Sequence, residues 1–489
     1  MDIKKNDFFY VLMAVAVSAI GVVAVGNPNT TIGLYGLIGL LGIALVMTII
    51  IKPSFGAYIL ILAIFINISD NLTKRGYPGV IKPLVLVVAL AIIVHYLYAE
   101  QLPGGGSKTR HFEMFLFLYL FAISASFLVA SNKDRAAAEI FDLVKDIGIL
   151  YCILFALRQF ASWKLAVWVI ILSTTFLCLL GVYQMITGNY DQTFMGLASV
   201  QMEKVFGSSR TPRLSGPINA PNLWGQVLVA VIPLVVYRIF HERRTLVKFL
   251  CVAIFGLLLA SIFNTYSRGA YVGLAVIIML IMLEKRLNAF VVLGGLGLVG
   301  VLIVVLPSNY IERFQSLTLL SPTSEFGIYQ DNSLRGRGSE ILTGLRMFYE
   351  HPLLGVGAGN YRNNYQQYTQ LIGLEFRTEE RDPHSLYVQL LAETGILGTI
   401  AFLGIAISLL GGLAKSIRAI EHLPYGQSWL PWIISLRLTI IAYLVTSLFL
   451  HGAYIRYFWI LVALAIAVIR LTDDLVNRHR NSSSLESYN

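Results

Sequence analysis

The chain has 489 residues, of which 56% are apolar and only 13% are charged, and its mean hydropathy is +0.71. This composition lies outside the range of ordinary soluble domains and indicates that the lipid bilayer is the solvent. The formal net charge is +10, yet the basic residues are spread over many short loops and form no long tract. A nucleic-acid partner is therefore not expected.

Apolar runs of membrane-crossing length follow one another along most of the chain. Two of them are weak predictions, because the third is short and the sixth contains Asp142, Lys145 and Asp146. We therefore predict an all-α polytopic membrane protein with about 12 to 14 transmembrane helices in one membrane domain, 1–489. The candidate spans lie near 8–25, 31–51, 55–69, 80–98, 112–130, 142–160, 165–187, 222–240, 247–264, 269–284, 288–306, 385–413, 428–450 and 453–471.

Basic residues beside alternate spans predict which side of the membrane each loop faces. Positively charged loops stay in the cytoplasm, so we expect a bacterial inner-membrane protein with both termini cytoplasmic. Two long connections, 188–221 and 307–384, then face the periplasm or outside, as does the short turn 265–269. The longer one is predicted to contain an amphipathic helix near 338–350. Long loops in a compact membrane domain are more often functional than idle.

Three outward-facing side chains stand beside predicted helix ends, namely Arg213, Arg268 and His384. An arginine fork keeps its charge and grips phosphate oxygens in a bidentate manner. An imidazole at a helix start can accept a proton from a hydroxyl group. The alternatives are two interfacial anchors and an exposed histidine at a helix start. Asn222, nearby in sequence, offers hydrogen bonds or a helix cap.

Other catalytic patterns are missing from the sequence. There is no paired-cysteine zinc spacing, HExxH, Walker loop or GxSxG, and the three cysteines lie in apolar stretches. We therefore predict neither a metal nor a cofactor. Arg437 lies inside a predicted span, where it is either functional or structurally paired.

The region around His384 carries a recognisable motif. His384-Ser385, nine residues, Gly395, three residues and Thr399 resemble the signature of the O-antigen ligase and O-antigen polymerase superfamily. The segment 351–361, which reads HPLLGVGAGNY, resembles the conserved loop that precedes the signature. The resemblance extends from about Arg213 to Thr399.

The resemblance implies a membrane glycosyltransferase of the GT-C type, metal-independent and inverting. Members move a glycan from undecaprenyl pyrophosphate to an acceptor hydroxyl, on a glycan or a lipid core, on the outer side. Arg213 and Arg268 would neutralise the leaving pyrophosphate, and His384 would activate the acceptor. Further candidate substrate contacts are Arg335, Arg337, Asn222, Tyr387 and Asp382, of which Asp382 could also orient the imidazole.

The acceptor stays open at this point. A polymerase joins lipid-linked repeats, a ligase transfers finished polymer to the lipid A core, and a third group glycosylates protein. The large external loop slightly favours a polymerase. The non-enzymatic alternative, a flippase for lipid-linked glycans, predicts charges deep in several helices and an inverted repeat, and no inverted repeat is apparent in the sequence.

Overall fold

A computed structural model describes residues 30–99, 109–206, 209–285, 332–371, 380–423, 426–452 and 456–486. Fifteen α-helices account for most of these residues, and a single two-stranded hairpin interrupts them. The helices are α1 Thr30–Ile51, α2 Pro53–Phe65, α3 Ile68–Thr73, α4 Ile81–Ala99, α5 Arg110–Ser126, α6 Lys133–Ala156, α7 Phe160–Thr187, α8 Pro221–His241, α9 Thr245–Asn264, α10 Arg268–Lys285, α11 Asn332–Glu350, α12 Tyr361–Leu371, α13 Leu386–Ile420, α14 Leu430–Thr446 and α15 Arg456–Glu486.

The all-α polytopic membrane fold is confirmed. Twelve of the predicted spans coincide with described helices, whereas those near 8–25 and 288–306 lie outside the described residues. Five segments are long and apolar enough to cross a bilayer, within α7, α8, α9, α13 and the region 426–446, and three shorter apolar helices accompany them. The amphipathic helix predicted near 338–350 is α11, which begins six residues earlier.

Two predicted spans have different boundaries in the structure. The span near 55–69 is shorter, because α2 ends at Phe65 and Asn67 adopts φ 50°, a left-handed conformation that starts a new short helix. The span near 142–160 begins earlier, at Lys133, where the Asn132 side chain accepts a hydrogen bond from the backbone of Arg135. A side-chain cap therefore sets where α6 starts.

Helix α8 lies at the centre of the bundle and packs against α9, α10 and α14. Helix α13 packs against α5, α11, α14 and α15. On the outer faces large apolar side chains stay open, for example Leu246 at 82%, Ile186 at 79% and Phe117 at 73% exposure. Such exposure is unfavourable in water but matches a surface of acyl chains, as expected for a membrane domain.

A β-hairpin lies in the connection between α7 and α8. Strands β1 (Val200–Phe206) and β2 (Ser209–Leu214) pair antiparallel, with Gln201 opposite Arg213. Leu214 is completely buried and packs on α7 at Gly181, where a Cβ atom would come within 2.5 Å of the leucine side chain. This contact fixes the hairpin to the bundle. Arg213, the residue before Leu214, is thereby held against the helices.

Helix α13 is broken at Gly395, which adopts φ 62° and ψ −160°. The segment 352–357 packs into the break through three backbone hydrogen bonds: Val356 N to Ala392 O at 2.8 Å, Gly357 N to Glu393 O at 3.1 Å and Ile396 N to Pro352 O at 2.8 Å. The segment 352–357 is therefore docked on α13. Gly395 is required both for its left-handed φ and for this close approach.

We expect Gly395→Ala to destabilise the protein by about 3 kcal/mol, since a Cβ atom would lie 2.4 Å from the carbonyl group of Leu353 at a strained φ. A thermal melt of the detergent-purified protein measures the effect. Gly411→Ala, on the same helix with nothing within 4 Å of the added carbon, is the matched control. It should be neutral or slightly stabilising, and equal melting temperatures for the two variants would contradict the assigned role of Gly395.

Candidate active site

Arg213 is buried, with 5% of its surface exposed, and its guanidinium group joins three parts of the structure. The Nε atom donates to the carbonyl of Thr265 at 2.8 Å, in the turn between α9 and α10, and Nη2 donates to Asn222 Oδ1 at 2.7 Å. The Nη1 atom forms an ion pair with Glu203 on β1. The two predicted residues Arg213 and Asn222 therefore contact one another.

Arg268 begins α10, three residues after the carbonyl that Arg213 binds, and is 92% buried, with 8% of its surface exposed. The turn before it is tight: Tyr266 has φ 50°, and Tyr271 OH donates to the Phe263 carbonyl at 2.8 Å. Gly225 of α8 lies against this turn, where a Cβ atom would meet Thr265 Oγ1 at 3.2 Å. Both predicted arginines are therefore anchored at the same turn.

His384 precedes α13, and its Nδ1 atom lies 2.8 Å from Oε2 of Glu340 on α11. This carboxylate is 99% buried, and its other oxygen accepts a hydrogen bond from Arg381 at 2.9 Å. A carboxylate at Nδ1 holds a proton on that nitrogen and leaves Nε2 as the nitrogen that can accept another. The structure thus provides a carboxylate–imidazole pair of the kind that orients a general base.

Asp382 was predicted as a possible partner of His384, but only its backbone carbonyl approaches that ring, at 3.2 Å. Its carboxylate binds both Nε and Nη2 of Arg362 and lies 3.3 Å from Nε2 of a second histidine, His451. Burial alone would raise the pKa of Asp382, but the hydrogen bonds from Arg362 and the nearby imidazoles outweigh it and lower the pKa. The carboxylate that orients His384 is therefore Glu340.

His451 lies in the connection after α14, with its ring 5.9 Å from that of His384 and nearly perpendicular to it. Burial lowers the pKa of His451 below the ordinary value, and the neighbouring His384 and Arg362 act in the same direction against Asp382. A neutral ring that donates from Nε2 to Asp382 carries its lone pair on Nδ1. The site therefore contains two carboxylate–imidazole pairs side by side.

Contacts between helix ends bring these groups to one end of the bundle. Ser447, just after α14, accepts a hydrogen bond from the backbone of Leu386 at 2.9 Å and one on its hydroxyl from Gln226 of α8 at 2.7 Å. Gly269, next to Arg268, lies so close to Phe449 that a Cβ atom would come within 2.7 Å of it. The starts of α8, α10 and α13 and the end of α14 consequently meet.

A polar cavity of about 430 Å³ lies next to His384. Asp382 and His451, which surround this histidine, also line the cavity. We call it the Glu139 cavity. Its lining consists of Arg135, Ala138, Glu139, Gly359, Arg362, Asp382, Gln389, Glu393, His451 and Gly452.

The remaining predicted residues have varied surroundings. Tyr387 donates from its hydroxyl to the carbonyl of Leu444 at 2.8 Å, a contact that holds α13 to α14. Arg337 lies half-buried on α11, and Arg335 belongs to the first turn of this helix, its side chain lying outside the described part of the structure. Arg437 pairs with Glu284 at 3.0 Å, the structural alternative considered from the sequence.

Sequence reasoning missed Glu340, Arg362, His451 and Glu139. Glu340 lies within the amphipathic helix predicted near 338–350, but nothing local reveals a partner 44 residues away. His451 could have been found, since it stands at the end of a predicted span, as His384 stands at the start of one. Among the described residues, no group of His, Cys, Asp and Glu side chains is arranged to hold a metal ion.

We expect Arg213→Lys to lower the stability of the protein by about 2 kcal/mol, because lysine keeps the charge but cannot reach Thr265, Asn222 and Glu203 together. Arg210→Lys, an exposed position on the same strand, is the matched control and should leave the melting temperature unchanged. Equal melting temperatures for wild type and Arg213→Lys would show that the guanidinium group of Arg213 does not hold the hairpin, α8 and the turn before α10 together.

One comparison with known proteins found a match. Residues 252–403 match the family model described as O-antigen ligase, a stretch that runs from within α9 to within α13 and includes Arg268, Glu340 and His384. No curated protein matches the chain. The matched region supports a relationship to the O-antigen ligase and polymerase superfamily, as the motif at His384 predicts.

Proposed function

We propose that the protein is a glycosyltransferase of surface polysaccharide assembly that moves a glycan from undecaprenyl pyrophosphate to an acceptor hydroxyl. The observation that carries the proposal is the Glu340–His384 pair at the end of the bundle where Arg213 and Arg268 are anchored. The match to the O-antigen ligase family supports the reaction class. The lipid bilayer supplies the donor by lateral diffusion.

His384 acts as the general base. Its Nε2 atom accepts the proton of the acceptor hydroxyl while Glu340 stabilises the imidazolium that forms. The acceptor oxygen forms a bond to the anomeric carbon, the bond from that carbon to the phosphate oxygen breaks, and its electron pair leaves with undecaprenyl pyrophosphate. A single displacement of this kind inverts the anomeric configuration.

The cationic side of the site serves the leaving group. Fixed guanidinium groups stabilise developing negative charge without reorganisation, which is among the largest contributions an enzyme can make. Arg213 and Arg268 are both largely buried, so surrounding water weakens their fields little. This proposed chemistry draws on side chains alone and requires no metal or cofactor.

We place the protein in the bacterial inner membrane, with the site facing the periplasm and both termini in the cytoplasm. Support comes from the opposite end of the bundle, where Arg238 and His241 end α8 and Lys285 ends α10. Basic residues concentrate on the cytoplasmic side of membrane proteins. The end that carries His384 would then be outside.

Within this class, the large external loop 307–384 slightly favours a polymerase over a ligase. In a bacterium that lacks the gene, loss of a polymerase leaves single repeats, whereas loss of a ligase leaves long polymer that is not attached to the lipid A core. Glycan profiles of the deletion strain separate the two, and transfer of glycan to protein would appear as missing glycoprotein.

The purified protein in detergent should consume the lipid-linked saccharide fraction of the source cells and yield a product of higher glycan mass. His384→Ala should lower turnover by about 10²- to 10⁴-fold, because the acceptor proton loses its base. His422→Ala, an exposed histidine after α13, is the control and should keep full turnover. Mass spectrometry of the glycans gives the readout, and full turnover by His384→Ala would refute the proposed mechanism.

Glu340 is a positioning residue, so its replacement has a different kinetic signature. We expect Glu340→Gln to lower kcat by about tenfold to 10⁴-fold while KM changes little, since the imidazole loses its orienting charge but the substrate contacts stay. Glu350→Gln, at the end of the same helix, makes the same chemical change in an exposed ion pair with Arg346 and should have no effect. A rise in KM at constant kcat would assign Glu340 to substrate binding instead.

A further inference from the structure

The Glu139 cavity has no part in the proton transfer or leaving-group chemistry proposed above. Its volume of about 430 Å³ falls within the range of small-molecule pockets, and its lining combines convergent polar groups with acidic side chains. The cavity lies beside His384, because two of its lining residues, Asp382 and His451, are also neighbours of that histidine. Its position and chemistry indicate a ligand next to the general base.

The charges of the cavity exclude a pyrophosphate as its occupant. The lining has two guanidinium groups, those of Arg135 and Arg362, against three carboxyl groups, of which that of Asp382 pairs with Arg362. Two further carboxyl groups, those of Glu139 and Glu393, face no lysine in the lining. A polyanion would therefore be repelled, whereas neutral hydroxyl groups can donate to the carboxylates and accept from the guanidinium groups.

Several polar atoms of the lining are fixed in advance. Gln389 donates to Glu393 Oε2 at 3.2 Å and accepts from the backbone of Gly452 at 3.0 Å, and Glu393 Oε1 accepts from the backbone of Tyr361 at 3.3 Å. These contacts tie α13 to the connection after α14 and to α12. Recognition of hydroxyl groups depends on such pre-positioned partners, because a hydrogen bond with poor geometry contributes little net binding free energy.

One polar atom of the lining is buried and has no hydrogen-bond partner in the described structure, Nδ1 of His451. A buried acceptor without a partner is unfavourable and indicates that a donor is supplied by a ligand. Since Nε2 of the same ring faces Asp382, the ring cannot turn to satisfy Nδ1 without losing that contact. The unsatisfied nitrogen therefore points to a ligand that carries a hydrogen-bond donor, as a sugar hydroxyl does.

We propose that the Glu139 cavity binds the sugar residue of the acceptor that carries, or adjoins, the reacting hydroxyl. His451 Nδ1 accepts a hydrogen bond from one ring hydroxyl, and Glu139 and Glu393 contact others. This inference rests on the proposed glycosyltransferase function and adds to it the location of the acceptor sugar. Acidic residues thereby hold the acceptor, while the arginines face the donor's pyrophosphate.

The test uses the purified full-length protein with saturating lipid-linked donor from the source cells. The acceptor probe is the water-soluble saccharide, repeat or deacylated lipid core, that the wild type elongates. Ala138→Phe adds bulk at an exposed helical position of the lining, and Ala137→Phe adds the same bulk one position away, outside the lining. Glu139→Gln removes the carboxyl group, and Glu350→Gln is its control. Binding of undecaprenyl pyrophosphate, measured by native mass spectrometry, reports the donor side.

We expect Ala138→Phe and Glu139→Gln to raise the half-saturating acceptor concentration by about tenfold. The two controls should match the wild type, and all four variants should bind undecaprenyl pyrophosphate as the wild type does. Unchanged acceptor dependence in both test variants would overturn the proposal, as would weakened binding of undecaprenyl pyrophosphate, which would assign the cavity to the donor. A wild-type protein that elongates no saccharide would instead refute the proposed function itself.

Discussion

The buried carboxylate of Glu340 is the interaction on which this end of the molecule depends. A charge that is 99% buried costs several kcal/mol unless donors surround it. Arg381 and His384 supply these donors, and Tyr361 donates to the backbone carbonyl of the same residue at 2.6 Å. Helices α11 and α12 and the chain before α13 are thereby held in one arrangement. The ion-pair geometry that stabilises this end also selects the tautomer of His384.

Much of the fold could be predicted from the sequence, because membrane helices are specified locally by apolar length. His384 could be predicted too, through a motif contained in one segment. The hairpin that holds Arg213 could not, since Pro212 lies within β2 and proline normally argues against a strand. The pairing of His384 with Glu340 depends on the packing of α11 against α13, which no local pattern reveals. Asp382 shows this limit: it is only two residues from His384 in sequence, yet its carboxylate binds Arg362 instead.

The charged groups of the site belong to two different parts of the structure. Arg213 and Arg268 are buried at the turn between α9 and α10, whereas Glu139 and Glu393 line the cavity that also contains Asp382 and His451. In the proposed reaction the lipid-linked donor and the saccharide acceptor differ most in charge, so this separation would distinguish the two substrates before any sugar is recognised.

The break at Gly395 gives a physical meaning to the spacing of the motif. A straight helix of 35 residues would be about 52 Å long, well beyond a hydrocarbon core of about 30 Å. The break instead divides α13 into two parts. Residues 396–420 form a helix long enough to span the membrane, and residues 386–394 form a short helix that His384 precedes. Each residue of an α-helix turns the chain by about 100°. The nine residues between Ser385 and Gly395 therefore set an angle, and one residue more or less would point the imidazole away from Glu340.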